Sequence, residues 1–137
     1  WTPLARRLEV ALLELLFAGK GAEEARELIA GIVADMRAGR LDSELVYRKR
    51  LRKPVGDYTA SQPPHVKAAQ IGGEEPGSFV SYVMTGRGPE PADRPSAGLD
   101  YDHYIEHQLK PIASIFVEAL GTDLQRLFDG VHQLWLF

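Results

Sequence analysis

The chain contains no cysteine, which excludes disulfide bridges and thiolate metal sites and fits a reducing, cytoplasmic compartment. No run of apolar residues approaches the roughly 20 that a membrane-spanning helix needs. The first residues also lack the apolar run and small-residue cleavage site of a secretory signal. The chain opens on Trp1 without an initiator methionine. We therefore expect a cytoplasmic fragment of a longer protein, with no membrane partner.

Charge is distributed unevenly, although the net charge is only -3. Residues 47–70 carry six basic residues against one acidic residue, Asp57, whereas residues 1–46 and 71–137 both have an acidic excess. One concentrated basic stretch in a mildly acidic chain predicts a local anion-binding site. The same pattern argues against a wholly basic protein that coats nucleic acid.

Apolar spacing predicts a mostly α-helical fold with a small β component, the α+β class. Thr2 and Pro3 form a favourable helix start, and leucines follow at helical spacing until Gly19. A second helix is predicted from about residue 22 to residue 38, with a short turn between the two. We assign residues 1–46 to this helical hairpin.

Short strands are predicted in the middle of the chain. Residues 45–51 nearly alternate between apolar and polar, and residues 79–85 are rich in β-branched and aromatic side chains. Pro64 is expected to open a short helix between these strands. Residues 86–98 are rich in glycine and proline, so we expect an irregular connection that is neither a helix nor an internal strand.

A long helix is predicted near the end of the chain, from Asp100 or Asp102 to about Leu120. Pro111 lies inside this helix and is expected to kink or split it. A further short helix is predicted from residue 123 to residue 128.

The strongest local signal is the basic run beside several aromatic residues. Cationic side chains on an extended backbone can follow successive phosphates, with binding that depends on salt and is largely blind to base sequence. A solvated charged face is the alternative interpretation. The candidate nucleic-acid-binding residues are Tyr47, Arg48, Lys49, Arg50, Arg52, Lys53, Tyr58, His65 and Lys67.

Acidic residues and histidines at the start of the long helix resemble a metal-binding composition. Helix capping and an exposed acidic first turn, which the helix dipole favours, explain them better. We therefore predict no metal site and no cofactor in this chain. The residues concerned are Asp100, Asp102, His103, Glu106 and His107.

In the sequence a basic strand leads to Tyr58, and Pro64 and His65 follow at the start of a short helix. This order resembles the thumb-entry segment of family B DNA polymerases. The resemblance covers nearly the whole chain in order, with further matching segments at Trp1–Ala5, Ser81–Met84, Gly88–Pro91 and Leu99–Pro111.

The resemblance implies that residues 47–130 form the thumb subdomain of a DNA-directed DNA polymerase, a nucleotidyltransferase of replication and repair. The thumb of that family grips primer–template duplex, with Tyr58, His65 and Lys67 near the DNA backbone. Two magnesium ions are held in the family's palm by a Tyr-x-Asp-Thr-Asp motif and a second Asp, neither of which occurs here. The fragment is therefore expected to hold no catalytic residue and to be inactive without the rest of the polymerase chain.

The last residues are similar to the bacterial clamp-binding pentapeptide Gln-Leu-x-Leu-Phe. Burial of its Leu and Phe side chains in the clamp would contribute about 1.5–3 kcal/mol each to the free energy of binding. We expect residues 131–137 to tether the polymerase to the bacterial sliding clamp, in the cytoplasm at the nucleoid. Trp135 occupies the variable position, and packing of the tail on its own domain is the alternative. The candidate clamp-binding residues are Gln133, Leu134, Leu136 and Phe137.

A second hypothesis is a stand-alone DNA-binding or clamp-interacting adaptor without catalytic activity. The missing initiator methionine and the palm-like Trp1 count against it.

Overall fold

The computed structural model describes residues 1–51, 63–72 and 78–131, and it begins with two helices. Helix α1 spans Pro3–Phe17 and helix α2 spans Ala22–Arg37, as the apolar spacing predicts. Gly19 and Gly39 follow these helices with φ angles of 74° and 79°. Glycine adopts this left-handed backbone at little cost, so both helices end where the sequence predicts.

Packing divides the chain into two units. Among the described residues, unit 1 contains 3–42 and 101–131, and unit 2 contains 43–51, 63–72 and 78–100. Unit 2 is therefore an insertion between two parts of unit 1. The functional division predicted from the sequence, at residues 46 and 130, stays a prediction.

Unit 1 is helical, and its core is built from the apolar stripes of its helices. The stripe of α1 packs against α2 and against the helical segments that follow residue 100. Tyr104 is fully buried in this core beside the aliphatic side chains. The largest of these buried aliphatic residues are Leu4, Leu8, Leu12, Ile29, Met36, Ile105, Leu109, Ile112 and Leu127.

The long helix predicted after residue 100 is split. It consists of α4 (Tyr101–Tyr104), a π-helical turn (Ile105–Leu109), α5 (Lys110–Ser114) and α6 (Val117–Leu120). In the π turn, the Lys110 N–H donates to the Ile105 carbonyl oxygen five residues earlier. Pro111 has no N–H to continue the normal ladder, and the widened turn lies just before it. The helical segments run without a gap to Ser114, and the chain leaves the helix only at Ile115 and Phe116.

Helix α7 (Leu124–Leu127) is shorter than predicted. It follows Gly121, whose φ angle of 68° ends α6. The Asp123 Oδ1 atom accepts a hydrogen bond from the Arg126 N–H at 2.9 Å. This N-cap satisfies one of the free donors at the start of the helix.

Unit 2 contains a three-stranded antiparallel sheet in the order β1-β2-β3. Strand β1 spans Tyr47–Arg50, β2 spans Phe79–Thr85 and β3 spans Gly88–Pro91, with a 3₁₀ turn at Asp42–Leu45 before β1. Helix α3 (Pro64–Gly72) packs on one face of the sheet. The buried cluster between them contains Leu51, Val66, Ala68, Ala69, Val80 and Tyr82.

The expectation of an irregular connection over residues 86–98 is wrong for Gly88–Pro91, which form β3. The Ala92 N–H donates to the Ser81 carbonyl oxygen at 3.0 Å. Because donors alternate along an antiparallel strand, the nitrogens of Pro89 and Pro91 face away from β2. The missing proline N–H groups therefore break no bond of the sheet, and an edge strand tolerates them.

The two ends of the insertion are joined within unit 1. The Tyr101 hydroxyl donates to Asp42 Oδ1 at 2.9 Å, and the Arg37 Nη2 group donates to Asp102 Oδ1 at 2.7 Å. Burial, followed by the hydrogen bond to Asp42, raises the pKa of Tyr101 to about 12. Asp42 is the last residue of unit 1 before the insertion, and Tyr101 is the first residue after it. The hydrogen bond between them therefore joins the two ends of the insertion.

We expect Tyr101→Phe to lower the free energy of unfolding by about 1 kcal/mol, because it removes the hydroxyl donor and keeps the ring. The contribution of Tyr101 should be fully present below its unfolded pKa near 10 and lost as pH rises through about 12. Urea unfolding of Tyr101→Phe, Asp42→Ala and the double variant measures the coupling. Additive losses would contradict the hydrogen bond's role.

Candidate nucleic-acid interface

Strand β1 carries the first three cations of the predicted basic run and divides them between the two faces of the sheet. Successive side chains of a strand point to opposite faces. Arg48 and Arg50 therefore share the face away from α3, whereas Tyr47 and Lys49 lie on the face that α3 covers. All three cationic side chains are exposed. The structure brings the two arginines together and separates them from the remaining candidate residues that it describes.

Phe79 completes the face that carries the two arginines. It lies directly opposite Arg50 in the register of β1 and β2. The Arg48 Cζ atom lies 4.3 Å from the centroid of the Phe79 ring, and the Arg50 Cζ atom lies 5.3 Å from it. Both distances fall within the range of cation–π attraction. Phe79 is 48 % exposed, although it is large and apolar.

Tyr47 packs on the face of the sheet that α3 covers. Its ring stacks on that of Tyr82, with centroids 5.0 Å apart and planes inclined by 15°. The two residues are paired across β1 and β2. Burial raises the pKa of Tyr82. Tyr47 thus anchors β1 by packing, and its predicted contact with DNA stays a prediction.

His65 and Lys67 lie on α3 with different exposure. His65 is 5 % exposed, whereas Lys67 is exposed. Burial lowers the pKa of His65, and the positive charge of Lys49 lowers it further. Both effects favour the neutral imidazole, which can donate or accept a hydrogen bond but adds no charge to the basic surface.

Seven predicted site residues lie outside the described part of the chain. Two belong to the basic run, namely Arg52 and Lys53, and Tyr58 follows that run in the sequence. The other four are the clamp-binding candidates Gln133, Leu134, Leu136 and Phe137. Their roles stay predictions.

The acidic residues near His103 and His107 pair with cationic side chains, and the two histidines stack on each other. Asp102 pairs with Arg37, the Glu106 Oε1 atom accepts from the Lys110 Nζ group at 2.6 Å, and the two histidine rings stack 4.6 Å apart. Over residues 1–51, 63–72 and 78–131, no group of three or more His, Asp or Glu residues is arranged to hold a metal ion.

A buried carboxylate organises the loop after β3, and no sequence signal pointed to it. Glu90 is 8 % exposed. It accepts hydrogen bonds from the Thr85 hydroxyl at 2.8 Å, from the Ser96 N–H at 3.1 Å and from the Ser96 hydroxyl. These bonds, those from Ser96 foremost, hold the pKa of Glu90 below its usual value. Glu90 thus fastens the loop to β2.

Comparison with known proteins shows relatives along the whole chain, although no family model matches. DNA polymerase II of Escherichia coli K12 is 37 % identical over 148 residues, covering 100 % of this chain and 18 % of that protein. DNA polymerase 2 of Aeropyrum pernix is 30 % identical over 146 residues, covering 97 % of this chain and 18 % of that protein. The structure of the family B DNA polymerase from Pyrobaculum calidifontis covers 95 % of this chain and 18 % of that one, with 24 % identity and a TM-score of 0.67.

The chain has the fold of part of a family B DNA polymerase and is similar along its whole length to a segment of other DNA polymerases. It spans less than one fifth of the length of these relatives. The family resemblance and the α+β class predicted from the sequence are both confirmed. No helix in the described part of the chain is long and apolar enough to cross a membrane.

We expect the pKa of His65 to lie below the ordinary value of about 6.5. Lys49→Met should raise it, but only part of the way, because burial remains. A lowered folded pKa means that the native state binds fewer protons than the unfolded state, so stability should fall as pH drops below about 6.5. Titration of the imidazole proton resonances by NMR measures the pKa of His65 in the wild type and in Lys49→Met.

The matched control for this titration is Lys67→Met, which removes an exposed lysine two positions along α3. Residues two apart do not face each other on a helix, so the pKa of His65 should barely change. A wild-type pKa at or above 6.5 would contradict the described burial.

Proposed function

We propose that this chain is the thumb segment of a bacterial family B DNA polymerase and that β1 binds the phosphate backbone of primer–template duplex. The observation that carries the proposal is the cationic edge of the sheet. Arg48, Lys49 and Arg50 are all exposed on an outer strand. Within the described ranges, none of the three forms an ion pair with a carboxylate.

The backbone of β1 adds hydrogen-bond donors to these charges. The Leu51 N–H donates to the Ser78 carbonyl oxygen at 2.9 Å. Donors alternate in an antiparallel ladder, so the N–H groups of Arg48 and Arg50 point outward from the sheet. Backbone N–H groups and arginine side chains both bind phosphate oxygens and carry no base specificity. Such contacts suit a DNA-binding surface that must move along DNA of any sequence, because they do not depend on the bases.

The chemistry of nucleotidyl transfer is proposed for the longer polymerase and not for this chain. Two magnesium ions held by carboxylates stabilise the attacking and leaving oxygens in that reaction. The described residues offer no fitting cluster of carboxylates for such ions. The role proposed for this segment is therefore to bind and position DNA.

Tethering to the sliding clamp is the second part of the proposal, and it rests on the sequence of residues 133–137. A tethered peptide raises the effective concentration of the polymerase at the clamp, so moderate affinity is enough for processive synthesis.

We expect neutralisation of Arg48, Lys49 and Arg50 to glutamine in the polymerase to weaken DNA binding and flatten its salt dependence. Each lost phosphate contact should reduce the slope of log K against log salt concentration by about 0.9. Fluorescence anisotropy with duplex DNA at several salt concentrations measures this slope.

Three arginines of unit 1, each paired with a carboxylate, provide the matched control: the half-buried Arg26 and the exposed Arg40 and Arg126. Their replacement by glutamine removes the same charge and should leave the slope close to that of the wild type. A slope that does not change in the β1 variant would overturn the proposed interface.

Deletion of residues 133–137 should leave distributive DNA synthesis intact and abolish stimulation by the clamp. Trp135→Ala is the control, because it alters only the variable position and should keep most of the stimulation. Primer extension with and without loaded clamp distinguishes these outcomes. Full clamp stimulation of the truncated polymerase would refute the tether.

A further inference from the structure

An exposed phenylalanine between two arginines is the least expected feature of the sheet surface. Phe79 is 48 % exposed, and the buried cluster of unit 2 does not include it. Its described ring contacts are with the guanidinium groups of Arg48 and Arg50. The ring therefore contributes to the surface of the sheet and not to its core.

The register of the sheet explains why the ring reaches both arginines. The Leu51–Ser78 hydrogen bond makes the neighbouring Arg50–Phe79 pair a non-hydrogen-bonded pair, in which side chains approach most closely. Arg48 is the diagonal neighbour on the same face, about 6.6 Å along the strand from Arg50. One ring thus lies within reach of two cations.

Both guanidinium groups contact the same ring. Because Arg48 Cζ and Arg50 Cζ lie 4.3 Å and 5.3 Å from one centroid, they are less than about 10 Å apart. Two free arginine side chains on a strand would spread away from each other. An aromatic face limits their rotamers and opposes this repulsion, whereas an anion bound between them would relieve it.

We propose that Phe79 is a positioning residue that holds Arg48 and Arg50 ready for adjacent phosphates of one nucleic-acid strand. The inference rests on the proposed DNA-binding function and adds a residue that carries no charge. Phosphodiester groups fit the pair because guanidinium forks bind phosphate oxygens through paired N–H donors. Preorganised side chains lose less rotamer freedom on binding, so the ring strengthens an interaction in which it takes no direct part.

Phe79→Leu and Phe79→Tyr in the full polymerase test this role. Leucine keeps an apolar side chain but removes the aromatic face, whereas tyrosine keeps that face. We expect Phe79→Leu to weaken duplex binding by about fivefold with an unchanged salt slope, because no charge is lost. Phe79→Tyr should bind like the wild type. Equal losses in both variants, or no loss in Phe79→Leu, would overturn the inference.

A second readout reports the positioning itself. Relaxation of the arginine Nε–Hε groups by NMR should show Arg48 and Arg50 ordered in the free wild-type and Phe79→Tyr proteins and more mobile in Phe79→Leu. Unchanged relaxation in Phe79→Leu would overturn the positioning role even if affinity fell. Should Phe79→Leu fail to fold, the double variant Arg48→Lys with Arg50→Lys replaces it, because it keeps both charges and removes the planar groups. Undiminished DNA affinity of this double variant would overturn the positioning role.

Failure of the inference is distinguishable from failure of the proposed function. If neutralising the three β1 cations leaves the salt slope unchanged, the interface itself is wrong, and so is the role of Phe79. If neutralisation flattens the slope while Phe79→Leu binds normally, the interface stands and only the positioning role is wrong.

Discussion

The register between β1 and β2 is the constraint on which the proposed interface depends. Tyr47 stacks on Tyr82 across the two strands, and this pair fixes which side of the sheet each basic residue faces. A slip of one residue would turn Arg48 and Arg50 towards α3 and expose Tyr47. The aromatic pair therefore specifies the surface chemistry of the strand, although neither ring belongs to that surface.

The helices and the basic strand could be predicted from the sequence because their signals are local. Periodic leucines, helix-ending glycines and a run of cations act over a few residues and do not depend on distant partners. The strand nature of Gly88–Pro91 could not be predicted, since it depends on pairing with β2 at positions where proline nitrogens face outward. Composition alone favoured an irregular loop there.

The candidate site was predicted only in part, for a similar reason. The basic run is apparent in the sequence. The pleat of β1 decides which face of the sheet each cation occupies, and the contact of Arg48 and Arg50 with one ring depends on Phe79. The same is true of Glu90, whose partners Thr85 and Ser96 lie five and six residues away and meet it only after the loop has folded. His65 was a candidate for DNA contact, and its burial follows from how α3 packs on the sheet.

The two outer strands of the sheet differ in how they meet other chains. Strand β3 presents Pro89 and Pro91, which remove the outward donors that another strand would pair with. Strand β1 keeps its outward donors but presents them among Arg48, Lys49 and Arg50, whose like charges repel a second copy. Edge-to-edge aggregation is thereby opposed on both sides, and in the proposed function the charges of the β1 edge attract an anion. The same three charges that are proposed to bind DNA thus also oppose pairing of β1 with a strand of a second copy.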